Sequence, residues 1–262
     1  AMSVPFYEAL SSRLGDRLKR VGDIVARLRS VKTPDEVAAM RRSAELSDLG
    51  YRKMLEVAKP GMRGFEIVAE MERVVRREGA DHCKYWMASG PAPDWNGVRL
   101  DMKPHERVLQ HGDLMASCSY IVYKGYWCHG QRTGSLGKSC PELDKLCQVT
   151  RDAQDRGLEK MKPGEPIAAM GRTVREHAAA NGLDLLGGRL GHGMGLDYSE
   201  QPVPLNDTNE THWKAGTTAV IHTLFGLPGG KMFVPLGDVC HVTEDGPEFL
   251  MGFQRTPFVA GA

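Results

Sequence analysis

The chemistry available to this chain rests on histidines in strand-like surroundings and on a cysteine or two beside them. His129 lies in the stretch YKGYWCHGQRT (residues 123–133), directly after Cys128. His192 sits between glycines in the run GHGMG (191–195), and His222 and His241 occupy two later strand-like runs. Imidazole can change charge near neutral pH and is the commonest neutral metal ligand, so these rings could serve as acids and bases or meet around one ion. Glycine on both sides of His192 lets backbone pass close to whatever that ring holds. Neighbouring residues on a strand point to opposite faces, so Cys128 and His129 are not expected to act together. A single histidine on an apolar strand is more often a hydrogen-bonded core residue than a ligand. What these four mean depends on whether the fold brings them together.

The elements that must position them follow from periodicity and turn signals. Residues 6–30 carry apolar positions at helical spacing and read as one surface helix or linker. Thr33-Pro34-Asp35-Glu36 opens the next helix as a capping box with proline at the first helical position. Residues 54–80 resemble residues 157–183: each reads helix, Lys-Pro-Gly turn, second amphipathic helix, glycine-containing stop. The two Pro-Gly turns, 60–61 and 163–164, lie 103 residues apart, which suits two related halves better than a solenoid. Sites often lie between such halves. Strands are expected at 83–88, 114–122, 126–133, 217–224 and 232–242, with Lys124-Gly125 turning a hairpin. Strands in hairpins alternating with helix pairs imply an α+β fold, an antiparallel sheet covered by helices. The expected organisation is an N-terminal helix or linker over 1–30 and one large domain over 31–262.

Bulk properties exclude several classes. A net charge of +1 gives no electrostatic reason to expect nucleic acid or an acidic membrane as partner. No apolar run approaches the ~18 residues of a membrane span, and no apolar leader opens the chain, so a cytoplasmic protein is expected. Six cysteines without a close pair read as thiols.

Several of these stretches together resemble the pita-bread family of creatinase, prolidase and methionine aminopeptidase, the M24-like proteins. LRSVKTPDEVAAMRRSAELSD (28–48) resembles the family's linker and first helix, and RVLQHGDL (107–114) the entry to its first ligand strand. GHGMGLDYSEQP (191–202) resembles its GHGIGLDxHExP signature, and HVTEDGPEFL (241–250) its closing strand. The resemblance implies two pseudo-symmetric halves with a curved antiparallel sheet covered by helices, and a homodimer. Family metallopeptidases hold two metal ions with two Asp, one His and two Glu. Carried over one at a time, these positions fall on Cys118, His129, His192, His222 and Gly237. Every carboxylate is gone, and a bridging carboxylate is what keeps two cations close together.

The three positions that would bind one of the two metals are His129, His192 and His222, and three imidazoles form a known mononuclear shell. The resemblance therefore implies one divalent transition metal per chain (Fe, Zn, Cu or Mn), or none if the creatinase pattern holds. Cys118, Glu200, Asp101 and His105 are the candidate catalytic groups, Asp94 being a further choice in the same loop. Gln131, where creatinase has a substrate-binding Glu, joins Tyr123 and Trp95 as candidate substrate contacts. The expectation is a non-peptidase enzyme acting on a small molecule by hydrolytic, lyase or oxidative chemistry at a mononuclear centre. The alternatives are a metal-free, creatinase-like C–N hydrolase and a non-catalytic peptide-binding module.

Overall fold

The computed structural model describes residues 2–19, 21–91, 106–229 and 231–261. The N-terminal stretch forms two helices, not the one expected: α1 (Val4–Leu14) and α2 (Gly22–Ser30). Gly15, at φ +49°, ends α1 by donating its N–H to Ser11, and a short 3-10 turn and extended Leu18 follow. Neither helix buries a side chain, so no packing carries the helical spacing across the glycines. Helix α3 (Pro34–Val57) starts at the capping box: Thr33 Oγ1 accepts from Glu36 N–H, and Glu36 Oε2 accepts from Thr33 N–H.

Two stretches displaced by 103 residues then fold alike. Helix α4 (Gly64–Arg77) follows α3, and helix α6 (Ile167–Ala180) follows α5 (Pro141–Leu158). Both α4 and α6 span 14 residues, and the turns before them place Gly61 at φ +93° and Gly164 at φ +88°. That left-handed region favours glycine, which is why the Pro-Gly pair stands at both turns. The amphipathic face of α4 buries Ile67, Val68, Met71 and Val75. Each such side chain contributes about 1.5–3 kcal/mol on full burial.

Between and after the helix pairs run the strands β1 (His82–Pro91), β2 (Asp113–Tyr123), β3 (Tyr126–Leu136), β4 (Asp184–Leu185), β5 (Gly191–Gly193), β6 (Glu200–Leu205), β7 (Thr218–Leu227), β8 (Lys231–Thr243), β9 (Gly246–Phe249) and β10 (Phe258–Ala260). The sheet order is β1-β2-β3-β8-β7-β5-β6, all antiparallel; β4 and β9 pair antiparallel with β7 and β8, and β10 pairs parallel with β3. The expected α+β class and antiparallel sheet are what the chain forms. Helix α3 packs on β2 and β3, and α5 on β7 and β8, so each half has its own helix layer and apolar core. The halves meet at β3 and β8, where one pair, Gln131 and Gly237, is in register. Among the described residues, no helix is long and apolar enough to cross a membrane.

Candidate active site

Strand register sets one row of side chains across the junction of the halves. Trp86 pairs with Cys118, Cys118 with Gln131, Gln131 with Gly237, and Gly237 with His222. Because side chains alternate along a strand, Tyr120 and His129 lie on the same face of β2 and β3, one step along, and are themselves paired. Cys128 falls on the opposite face, in the core under α3. His192 comes from β5, which is paired to β7 beside His222. That approach needs glycine: a Cβ at Gly193 would stand 2.3 Å from the Gln201 carbonyl oxygen, and one at Gly191 2.0 Å from that of Val220.

Three imidazoles therefore meet. The ring centre of His222 is 5.5 Å from that of His129 and 5.3 Å from that of His192. His129 Nδ1 lies 2.8 Å from the Ser119 carbonyl oxygen, and His192 Nδ1 lies 2.9 Å from that of Gly193. A carbonyl oxygen can only accept, so each Nδ1 carries the proton and each Nε2 presents a lone pair. The Nε2 atoms of all three rings are buried without a hydrogen-bond partner among the described residues. Burial pushes His129 down to about 3, helped by the nearby His192 and Arg189 and opposed by the bond to Ser119. Burial likewise holds His222 well below its ordinary value, with His129, His192 and Arg189 acting the same way, and it lowers His192. All three rings are neutral at neutral pH.

This donor set does not suit two metal ions, because no carboxylate stands at Cys118, His129, His222 or Gly237 to bridge them. For one ion its chemistry fits: three neutral imidazoles, two with tautomers fixed by backbone carbonyls as metal-ligating histidines usually are. Metal–nitrogen bonds of about 2.0–2.1 Å at tetrahedral angles would place imidazole centres roughly 5 Å apart. As the side chains stand, however, no three His, Cys, Asp or Glu groups among the described residues are arranged to hold a metal ion. The ring spacing meets the requirement and the present side-chain arrangement does not, so binding requires the rings to readjust.

Two phenols that sequence reasoning passed over face the imidazoles. Tyr198 has its ring centre 4.9 Å from His192 and 5.5 Å from His129, and Tyr120 lies 4.6 Å from His129. Their ring centres lie 5.3 Å apart, and burial pushes Tyr198 up to about 12 and Tyr120 higher still. Trp86 stacks on Tyr120 with centres 4.6 Å apart. The pairing of Tyr120 with His129 was readable from the hairpin register once the Lys124-Gly125 turn was placed. Nothing in the sequence pointed to Tyr198, which a bend after β5 carries in.

The other candidates are spread out. Cys118 is buried in the row beside Gln131, and desolvation pushes its thiol up to about 12, opposed by the Gln131 side chain. It is a poor nucleophile there. The Glu200 carboxylate is held by Lys32 and by Arg29, the latter at 2.7 Å, so two cations occupy it. Tyr123 stands at the hairpin end with the Lys124 ammonium 5.7 Å over its ring, on the face opposite His129. Asp101, His105, Asp94 and Trp95 lie outside the described residues. His241 bonds Glu248 at 2.8 Å away from the three rings.

A buried ion pair behind the sheet closes the seam. Arg132 Nη2 lies 2.6 Å from Asp238 Oδ1, while its Nη1 donates to the carbonyls of Gln131 and Gly237 at 2.9 and 2.7 Å. One guanidinium thus grips both backbone positions of the single registered pair joining the halves.

The metallopeptidase family M24 model matches residues 38–244. A Bacillus subtilis protein named uncharacterized peptidase YqhT is 30% identical over 77% of this chain and 57% of its own length. The Xaa-Pro dipeptidase of Pyrococcus furiosus is 27% identical over 90% of this chain and 67% of its own. The structure of dipeptidase PepE from Mycobacterium ulcerans superposes with a TM-score of 0.89 at 25% identity, covering 99% of this chain and 69% of that one. The fold is the pita-bread fold of these proteins. The chain spans little more than half the length of the Bacillus relative. The expectation of a non-peptidase small-molecule enzyme is corrected here, since these relatives are named peptidases and dipeptidases. It went wrong by reading the loss of the carboxylates as the loss of the family's reaction. With most of its length matched by the family model, the chain belongs to metallopeptidase family M24.

Proposed function

We propose that this chain hydrolyses an amide bond in short peptides at the three-imidazole site, with one divalent transition metal per chain held by His129, His192 and His222. The observation that supports it is that three buried imidazoles from separate strands, each with an unpartnered Nε2, lie with ring centres 5.3 and 5.5 Å apart. A divalent ion bound there would polarise the scissile carbonyl and lower the pKa of water. The residues supply the rest. Ser119 and Gly193 hold two of the rings in the tautomer that presents Nε2. Tyr198, its ring centre 4.9 Å from that of His192 and its hydroxyl held above the ordinary value by burial, keeps its proton and serves as donor to the departing amine nitrogen. In hydrolysis, water adds to the carbonyl carbon, the C–N bond breaks, and that nitrogen takes up the proton. Trp86 and Tyr120 wall the site with apolar surface.

Elemental analysis of the purified protein, with a dipeptide panel that includes Ala-Pro and its N-acetyl derivative, tests this. About one metal per chain is expected, lost in His129→Ala and His222→Ala together with turnover. Turnover undiminished by chelation, or by either substitution, refutes the metal. No cleavage of any peptide by metal-replete protein refutes the reaction.

A further inference from the structure

Tyr198 reaches the imidazoles from a loop, and that loop is held by an ion pair the hydrolysis above does not use. Residues 194–199 join β5 to β6 between the registered pair Gly193 and Glu200. At the near end Thr218 Oγ1 donates to the Met194 carbonyl at 2.6 Å, and Trp127 N–H donates to that of Gly195 at 2.9 Å. At the far end the Glu200 carboxylate accepts from Arg29 and Lys32 and faces the Asp197 N–H at 3.5 Å. Arg29 also pairs with the Asp197 carboxylate at 2.8 Å. Tyr198 therefore stands between two tied residues, Asp197 just before it and Glu200 two positions after.

The two cations differ in weight. The Lys32 and Glu200 side chains are 1% and 8% exposed, whereas those of Arg29 and Asp197 are 34% and 64% exposed. An exposed pair contributes little, but a buried one cannot part without leaving a charge uncompensated away from water. Lys32 is itself fixed, since its N–H donates to the Gly216 carbonyl at 2.8 Å, just before β7. The pair lies directly against the loop backbone: a Cβ at Gly195 would stand 2.4 Å from Glu200 Oε1 and 2.7 Å from Lys32 Cε. With the loop so seated, the Tyr198 ring centre lies 4.9 Å from that of His192, 5.5 Å from His129 and 5.8 Å from Trp127.

We infer that Lys32 is a positioning residue: through Glu200 it seats the loop that sets Tyr198 against His192 and His129, with Arg29 as a weaker second tie. The inference rests on Tyr198 acting as proton donor in the reading above. Lys32 acts only through Glu200 and the loop. Its loss moves the donor and leaves the three imidazoles in place.

NMR of protein labelled with carbon-13 at the tyrosine ring ε positions reads the seat apart from turnover. The chain has seven tyrosines, and the Tyr198 signal is the one lost in Tyr198→Phe. In Lys32→Met, and in the gentler Glu200→Gln, that signal should move from its wild-type position while those of the core residues Tyr51 and Tyr85 stay. In Arg29→Gln it should move less. Kinetics are read on Ala-Pro or N-acetyl-Ala-Pro, whichever is cleaved faster. Lys32→Met should lower kcat at least about tenfold with KM changed less than about twofold. In a Tyr198→Phe background the same substitution should lower kcat less than about twofold further. If Lys32→Met is not folded at assay temperature, Glu200→Gln takes its place in both measurements. A Tyr198 signal unmoved in the folded variants overturns the inference, as does a loss of kcat that adds in full to that of Tyr198→Phe. If Tyr198→Phe lowers kcat and Lys32→Met does not, the inference fails and the hydrolase reading stands. If neither peptide is cleaved, the hydrolase reading fails and the Tyr198 signal alone decides whether Lys32 seats the loop.

Discussion

Lowering the pH should unfold the metal-free protein through its buried histidines, and the size of the effect follows from their burial. His129 sits at about 3 in the folded chain against an ordinary 6.5. Above 6.5 neither state is protonated and the ring contributes no pH dependence. As pH falls through 6.5 the unfolded chain takes up a proton that the folded chain refuses, so stability is lost, and the loss levels off only near the folded value. For this shift the loss is about 2 kcal/mol at pH 5 and about 3 kcal/mol at pH 4. Burial pushes His222 down in the same direction, so its loss adds to that of His129. The loss from His129 alone is a sizeable part of a total stability of about 5–15 kcal/mol. Urea unfolding in chelator at pH 7.5 and pH 5.0 measures it. Carboxylates titrating in the same window act equally on wild type and His129→Gln, so the difference between their pH dependences isolates the ring. The expected difference is about 2 kcal/mol, with the variant less acid-sensitive. Equal pH dependences would mean that His129 is not buried neutral, and would remove the basis for a preformed cluster of lone pairs.

Three further outcomes follow from the same geometry. Asp238→Asn should cost about 3–5 kcal/mol in denaturant unfolding, because it leaves the buried Arg132 guanidinium uncompensated; a loss under 1 kcal/mol would show that the ion pair does not secure the seam. Native protein at pH 8 should react with a thiol reagent at Cys140 alone among its six cysteines, since the other five are buried; prompt labelling of Cys118 would contradict its placement in the row. Tyr198→Phe should lower kcat about 10²-fold with KM little changed. An unchanged kcat would remove Tyr198 as the proton donor.

How far the sequence reached depended on the range of the interactions involved. The capping box at Thr33, the hairpin at Lys124-Gly125 and the paired Pro-Gly turns are written in neighbouring residues, and all three appear in the fold. The break between α1 and α2 was missed because apolar spacing runs on through Gly15, while the lack of a buried side chain on either helix shows only in three dimensions. The three histidines were assembled through the family resemblance, since nothing local links residues on β3, β5 and β7. Glu200 shows the opposite failure. Its place in the signature suggested catalysis, but Lys32 and Arg29, brought back from more than 160 residues earlier, turn it into an anchor for the start of the chain.

The replacement of the carboxylates is better understood as one coordinated change than as four separate losses. Gly237 pairs with both Gln131 and His222, and a side chain at 237 would press on both at 3.1 Å. A side chain there would need its neighbours to give by a few tenths of an ångström, so a glycine at 237 eases the placing of an amide and an imidazole side by side. The same row continues through Cys118 to Trp86, and the buried Gln131 Oε1 has no partner among the described residues. Arg132 and Arg255 are already paired to Asp238 behind the sheet, so neither would offset a carboxylate added at 118 or 129. Each substitution makes the next one tolerable. The result is a neutral site in place of an acidic one, on a fold whose seam is secured by a different buried charge.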